Sequence, residues 1–87
     1  MSNVLRDIYV EMRRQEAKWG EQNHPDEWYL PIMLEEIGET AKAMLEAHFA
    51  GAYPGLYPNA NAKDIRKELI EATAVGFAWL ECIDRRC

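Results

Sequence analysis

Residues 26–50 read DEWYLPIMLEEIGETAKAMLEAHFA, and this stretch decides the fold class. Leu30, Leu34, Ile37, Ala41, Met44 or Leu45, and His48 recur at steps of three and four, the period of a helix with one apolar side. Asp26 or Glu27 can begin that helix, Pro31 suits its first turn, and Gly51 after Ala50 is a C-terminal signal. Upstream, Asn3 as N-cap followed by Leu5, Ile8 and Met12 predicts a first helix to about Lys18. Downstream, a third helix is expected from about Ala62 to Asp84. The connections are WGEQNHPDEWY (19–29), interrupted by Gly20, Asn23, Pro25 and Asp26, and GAYPGLYPNAN (51–61), too rich in Pro, Gly and Asn for regular helix. No strand pattern or repeat appears. The reading is all-α, an antiparallel helical bundle of three main helices forming a single domain over residues 1–87.

Composition sets the limits on that bundle. A chain of 87 residues buries a modest share of its surface, yet 48% of these residues are hydrophobic, with three Trp and four Tyr among them. The third helix carries Phe77, Trp79, Leu80 and Ile83 on almost every side, and a helix apolar all round is a buried one. Three helices cannot enclose it, so completion by homo-oligomerisation, as a homodimer or homotetramer, is expected. The net charge of -5 supplies no basic patch for a nucleic acid polymer. There is no 18-residue apolar run and no signal-peptide layout, which predicts no membrane association and a cytoplasmic location. Cys82 and Cys87 have no histidine partners at zinc spacing and read as reduced thiols.

Two acidic clusters carry the chemistry, EEIGE at 35–39 and ELIE at 68–71. Helical residues three apart share a face, which pairs Glu36 with Glu39 and Glu68 with Glu71. At about 100° per residue, Glu68 and Glu71 fall on the strip of Ala72, Val75, Trp79 and Cys82. Glu36 and Glu39 share theirs with Ile32, Ala43 and Ala47, while Glu35 lies nearer the polar side of Lys42 and Glu46. Solvated glutamates are the ordinary case, but four carboxylates on apolar faces cannot stay ionised without compensation. Either their pKa values rise or a cation sits among them. Oxygen-only ligands suit Mg²⁺ or Mn²⁺. A di-iron carboxylate site needs Glu-x-x-His on two helices, and the only such spacing, Glu21 to His24, falls in a loop.

With Glu35, Glu36 and Glu39 on one helix and Glu68 and Glu71 on the next, the chain resembles the MazG-type nucleoside triphosphate pyrophosphohydrolases. Their pattern is Glu-Glu-x-x-Glu followed by Glu-x-x-Asp, and the similarity extends from about Trp19 to Asp84. Glu71 stands where the family usually has Asp, and the family's usual fourth helix has no counterpart; the resemblance leaves it to a partner subunit. It implies Mg²⁺-dependent hydrolysis of a ribo- or deoxyribonucleoside triphosphate to the monophosphate and pyrophosphate, in nucleotide-pool housekeeping. Glu36, Glu39, Glu68 and Glu71 would be the metal ligands, and Glu35 or Glu36 would orient or deprotonate the attacking water.

Trp19 and His24 can stack on or hydrogen-bond a nucleobase, and Asn23 can read its edge; base stacking contributes roughly 1–3 kcal/mol. Each has a plainer alternative: Trp19 as an anchor closing the first helix, and His24 and Asn23 as turn residues. Tyr53 and Tyr57 would cover a pocket or simply pack the connection. Lys63, Arg66, Arg85 and Arg86 would steer phosphates or line a solvated surface. The competing function is a non-catalytic helical dimer that binds metal or nucleotide as a regulatory module.

Overall fold

A computed structural model describes residues 2–52 and 62–86 as three helices, α1 (Ser2–Trp19), α2 (Asp26–Ala52) and α3 (Ala62–Arg86). No strand occurs among the described residues, and no described helix is long and apolar enough to cross a membrane. Tyr53 and Tyr57, the side chain of Lys63, and Cys87 lie outside the described residues.

α3 is the common partner: α1 and α2 both pack on it and not on each other. Tyr29 lies with Val75 and Cys82, ringed by Ile32, Met33 and Trp79. Gly76 leaves room for Met33, since a Cβ there would meet the Met33 methyl at 3.2 Å. Farther along α2, Glu36 comes beside Glu68 and Glu71. Positions rise along α2 as they fall along α3, so the two helices run in opposite directions. On the other side of α3, Ile8 and Met12 of α1 pack with Ala74, supported by Ile70. Arg66 crosses to Asp7 at 2.7 Å.

Helix ends follow local chemistry, with three departures from expectation. Gly20 ends α1 in the left-handed region (φ 79°), its N–H donating to the Glu16 carbonyl at 2.7 Å. The Pro25 carbonyl opens α2 by accepting from the amides of Trp28 and Tyr29. The first departure is at Asn3, which sits inside α1 because the helix already begins at Ser2. The second is Pro31, in the second turn of α2 and not the first, where it withdraws one backbone donor from the helix. The third is Gly51, which does not stop α2; the helix runs through it to Ala52.

The largest departure concerns the apolar stripe that marks α2 as a helix. Leu30, Leu34, Ile37, Met44 and Leu45 are each 45–58% exposed. The face laid on α3 is the neighbouring one, with Tyr29 and Thr40 buried and Ile32, Met33, Glu36, Ala43 and Ala47 half-buried. On α3, Ala72, Val75 and Cys82 are buried as the wheel predicts, while Leu69, Phe77 and Leu80 face solvent.

The segment between α1 and α2 is stitched to the C-terminal half of α3. Tyr29, fully buried, stacks on Trp79 at 5.7 Å and donates its hydroxyl to the Gln22 carbonyl at 2.7 Å. Arg85 Nη2 donates to that same carbonyl at 2.9 Å and to Asn23 Oδ1 at 2.9 Å. Trp79 Nε1 and Arg86 both donate to Asp26 Oδ1, each at 2.7 Å. Tyr29→Phe leaves the Gln22 carbonyl with Arg85, so it should cost only about 1 kcal/mol in urea unfolding. Tyr29→Ala also removes the ring and should cost about 3–5 kcal/mol, the range for emptying an aromatic site.

Candidate functional site

Glu36 from α2 and Glu68 and Glu71 from α3 come together where the two helices pass. One carboxylate oxygen from each lies within 4.8 Å of the others, and all three side chains are half-buried. The antiparallel course of α2 and α3 makes this happen: Glu36 stands two turns past Tyr29, and Glu71 two turns before Trp79. Glu39 is exposed and lies outside this triple, although its charge reaches Glu36. Oxygens around Mg²⁺ at about 2.0–2.1 Å are roughly 3–4 Å apart, so small inward rotations of the three carboxylates would complete a chelate. The donor set therefore fits a hard divalent ion.

Bringing these groups together costs electrostatic energy. Burial and then the like charges of Glu71, Glu35, Glu39 and Glu11 push the Glu36 carboxyl above its ordinary range. Glu68 is raised in the same way, by burial first and then by Glu71, with Lys67 partly opposing.

A cleft of about 450 Å³ opens beside the triple, between α1 and α2 with α3 beneath. Glu35, Glu36 and Glu71 line its acidic side, and Trp19 and His24 lie on its wall. Trp19 is 60% exposed, with Lys18 Nζ 4.7 Å from its ring centroid. His24 is half-buried, stacked on Trp28 at 5.8 Å and edge-on to Tyr29 at 5.2 Å. Asn23 does not join them: it is not among the residues lining the cleft, its Oδ1 receives Arg85 and its Nδ2 donates to Glu21 at 3.1 Å. The Asn23 side chain is thus engaged with Arg85 and Glu21.

α1 adds a charged wall absent from the sequence motif. Arg14 makes a two-pronged bond to Glu11, with Nε to Oε1 at 2.8 Å and Nη2 to Oε2 at 2.6 Å, and Gln15 donates to Glu11 at 3.0 Å. Arg14 holds the Glu11 carboxyl below its usual range, and Glu11, Glu71 and Glu36 all favour the charged Arg14. A second, more open cavity adjoins, lined by Arg14, Arg66 and Lys67 and sharing Glu71 with the first. The sequence hint was the three-residue spacing of Glu11 and Arg14, an ordinary helical ion pair unless α1 is known to face the glutamates. Arg85 and Arg86 are engaged with Gln22, Asn23 and Asp26 at the loop.

No family model matches the chain, and comparison with curated proteins and with solved structures finds no significant match.

The raised carboxyls define a pH test in the absence of divalent ions. Below the ordinary glutamate value of 4.5, Glu36 is protonated whether the chain is folded or unfolded. As pH rises through the higher folded pKa, the unfolded chain ionises freely while the folded one must hold the charge, so stability is lost. Glu36→Gln and Glu68→Gln should therefore match wild type near pH 4 and become progressively more stable than it toward pH 7. Parallel pH–stability curves for wild type and variants, from urea unfolding in chelator, would contradict the assigned shifts.

Proposed function

We propose that the protein is a Mg²⁺- or Mn²⁺-dependent nucleoside triphosphate pyrophosphohydrolase of the MazG type, cleaving its substrate to monophosphate and pyrophosphate. The observation that carries the reading is the meeting of Glu36, Glu68 and Glu71 within 4.8 Å beside a cleft that also presents Trp19 and His24. The glutamates are positions the resemblance assigns to metal, Trp19 and His24 are the candidates for base contact, and together they come from three separate segments of the chain.

On this reading Glu36, Glu68 and Glu71 would hold the ion, with Glu39, outside the triple, the further ligand the resemblance assigns. Bound there, the metal supplies polarisation of the phosphoryl oxygens and offsets charge developing at phosphorus. Glu35, on the cleft wall and outside the triple, orients and deprotonates the water that attacks the α-phosphorus. Trp19 stacks on the base, and His24, fixed by Trp28 and Tyr29, donates to or accepts from its edge. Arg14, Arg66 and Lys67 balance the pyrophosphate as it leaves. An acidic protein binds a polyanion here because cations stand between the two. The domain works as a cytoplasmic homo-oligomer in nucleotide-pool housekeeping.

Glu71 in the place of the family's Asp favours a second reading, a regulatory dimer that binds metal or nucleotide without turnover. The longer side chain shifts the ligand oxygen by about a methylene.

Product analysis with Mg²⁺ and a panel of ribo- and deoxyribonucleoside triphosphates separates the two. Monophosphate plus pyrophosphate is the expected pair. Glu68→Gln and Glu71→Gln should each lower turnover by about 100-fold or more, since even residues that only support a ligand cost about 10–100-fold. Glu39→Gln, outside the triple and exposed, should cost less. Tight nucleotide binding without products would favour the regulatory reading, and diphosphate plus phosphate would overturn the reaction assigned.

A further inference from the structure

The second cavity is larger than the proposed reaction needs. It holds about 700 Å³, within the range of roughly 300–1,000 Å³ that encloses whole small molecules. A pyrophosphate group fills only a small part of that space. The two cavities lie end to end along the same pair of helices. On α1 the wall passes from Trp19 in the first to Asp7 in the second, and on α3 from Val75 to Arg66. Glu11, Arg14 and Glu71 line both, so the glutamate triple borders the junction.

The lining of the second cavity is chemically mixed. Asp7, Glu11 and Glu71 stand beside Arg14, Arg66 and Lys67, so its formal charges cancel. Arg66 Nη2 donates to Asp7 Oδ2 at 2.7 Å, and Arg14 grips Glu11 with two bonds. Val10, 57% exposed, and half-buried Ile70 add apolar surface. Carboxylate acceptors, cationic donors and an aliphatic patch together suit a sugar-like group. Its hydroxyls both donate and accept, and its C–H faces lie on aliphatic side chains.

We propose that the second cavity is the subsite for a neutral, polyhydroxylated group carried on a β-phosphate, so that nucleoside diphosphate sugars are ligands of this chain alongside the triphosphates. The direction of binding rests on the function proposed above: base at Trp19 and His24, α-phosphate at the glutamates, and β-phosphate at Arg14 on the junction. The bond broken is then the same. Water attacks the α-phosphorus, its proton passes to Glu35, and the bond from the α-phosphorus to the bridging oxygen breaks. That oxygen takes the electron pair and leaves on the β-phosphate. The products are the nucleoside monophosphate and a sugar phosphate in place of pyrophosphate.

Calorimetry in Mg²⁺ tests the subsite by comparing UDP-glucose with the β-methyl ester of UDP, and ADP-ribose with the β-methyl ester of ADP. Each ester has the charge of its partner and lacks the sugar. The Glu35→Gln chain, with turnover slowed, keeps the ligands intact. The sugar should tighten binding by at least about tenfold, the low end of what one well-matched pocket contact discriminates. Val10→Trp, made in addition, fills the second cavity from an exposed position on α1. It should abolish the gain, leave the methyl ester bound as before and keep the helical circular dichroism. A sugar nucleotide held no tighter than its methyl ester, or a gain that survives Val10→Trp, would overturn the proposal. Product analysis on wild type then judges the reaction separately. Monophosphate plus sugar phosphate supports both readings. A sugar-dependent gain in affinity, with no product from sugar nucleotides or triphosphates, supports the subsite and overturns only the reaction assigned above.

Discussion

The register of α2 on α3 is the constraint on which the rest depends. It is fixed at one end by Tyr29, fully buried against Val75, Cys82 and the Trp79 ring, with its hydroxyl tied to the Gln22 carbonyl. That end is apolar, aromatic and laced to the loop by Trp79, Arg85 and Arg86. Two turns away, the same register sets Glu36 beside Glu68 and Glu71, where burial and like charge oppose the arrangement. A slip of one turn would displace a side chain by about 5.4 Å and part the three carboxylates. The aromatic end therefore holds together an acidic end that would separate on its own, and a cation is the simplest way to relieve the conflict.

α1 lines the cleft although it packs on α3 and not backbone-to-backbone on α2. Both helices lean on α3, a cleft lies between them, and α1 contributes Arg14, Glu11 and Trp19 to its walls. The two-pronged Glu11–Arg14 bond keeps the guanidinium beside the glutamates and in its charged form. Acidic and basic groups thus line the same cleft, an arrangement suited to a polyanion accompanied by a metal ion. His24 reaches the cleft because Tyr29 and Trp28 hold its ring and its carbonyl meets the Cys82 thiol at 3.7 Å.

Much of this was legible in the sequence, for reasons that differ by element. The three helices follow from periodicity, and the buried strip of α3 follows from its wheel, because Ala72, Val75 and Cys82 point the same way whatever they meet. The convergence of Glu36 with Glu68 and Glu71 was readable once two apolar faces were each seen to carry carboxylates. The burial of α2 was not. Its most regular apolar stripe is the exposed one, while the face that packs on α3 mixes Tyr29, Met33 and Glu36 with Thr40 and small alanines and shows no clean hydrophobic period. Periodicity reports that a helix has an apolar side, but not which side meets which neighbour. Asn23 and Arg14 make the same point from opposite directions: a residue beside the motif bonds to Arg85 and Glu21, and one outside it lines the cleft. Both outcomes depend on contacts between distant segments.

A divalent ion held by Glu36, Glu68 and Glu71, as proposed, would tie the stability of the fold to metal concentration. Thermal unfolding of metal-free protein at pH 7, with Mg²⁺ or Mn²⁺ titrated in, tests it most directly. An ion that binds only the folded chain stabilises it by about 2.7 kcal/mol at a hundred times its Kd, so the melting temperature should climb with ion concentration, and Glu68→Gln should abolish the climb. A melting temperature indifferent to both ions, or one that rises equally in wild type and Glu68→Gln, would contradict the claim and leave the three glutamates as a protonated, purely structural cluster.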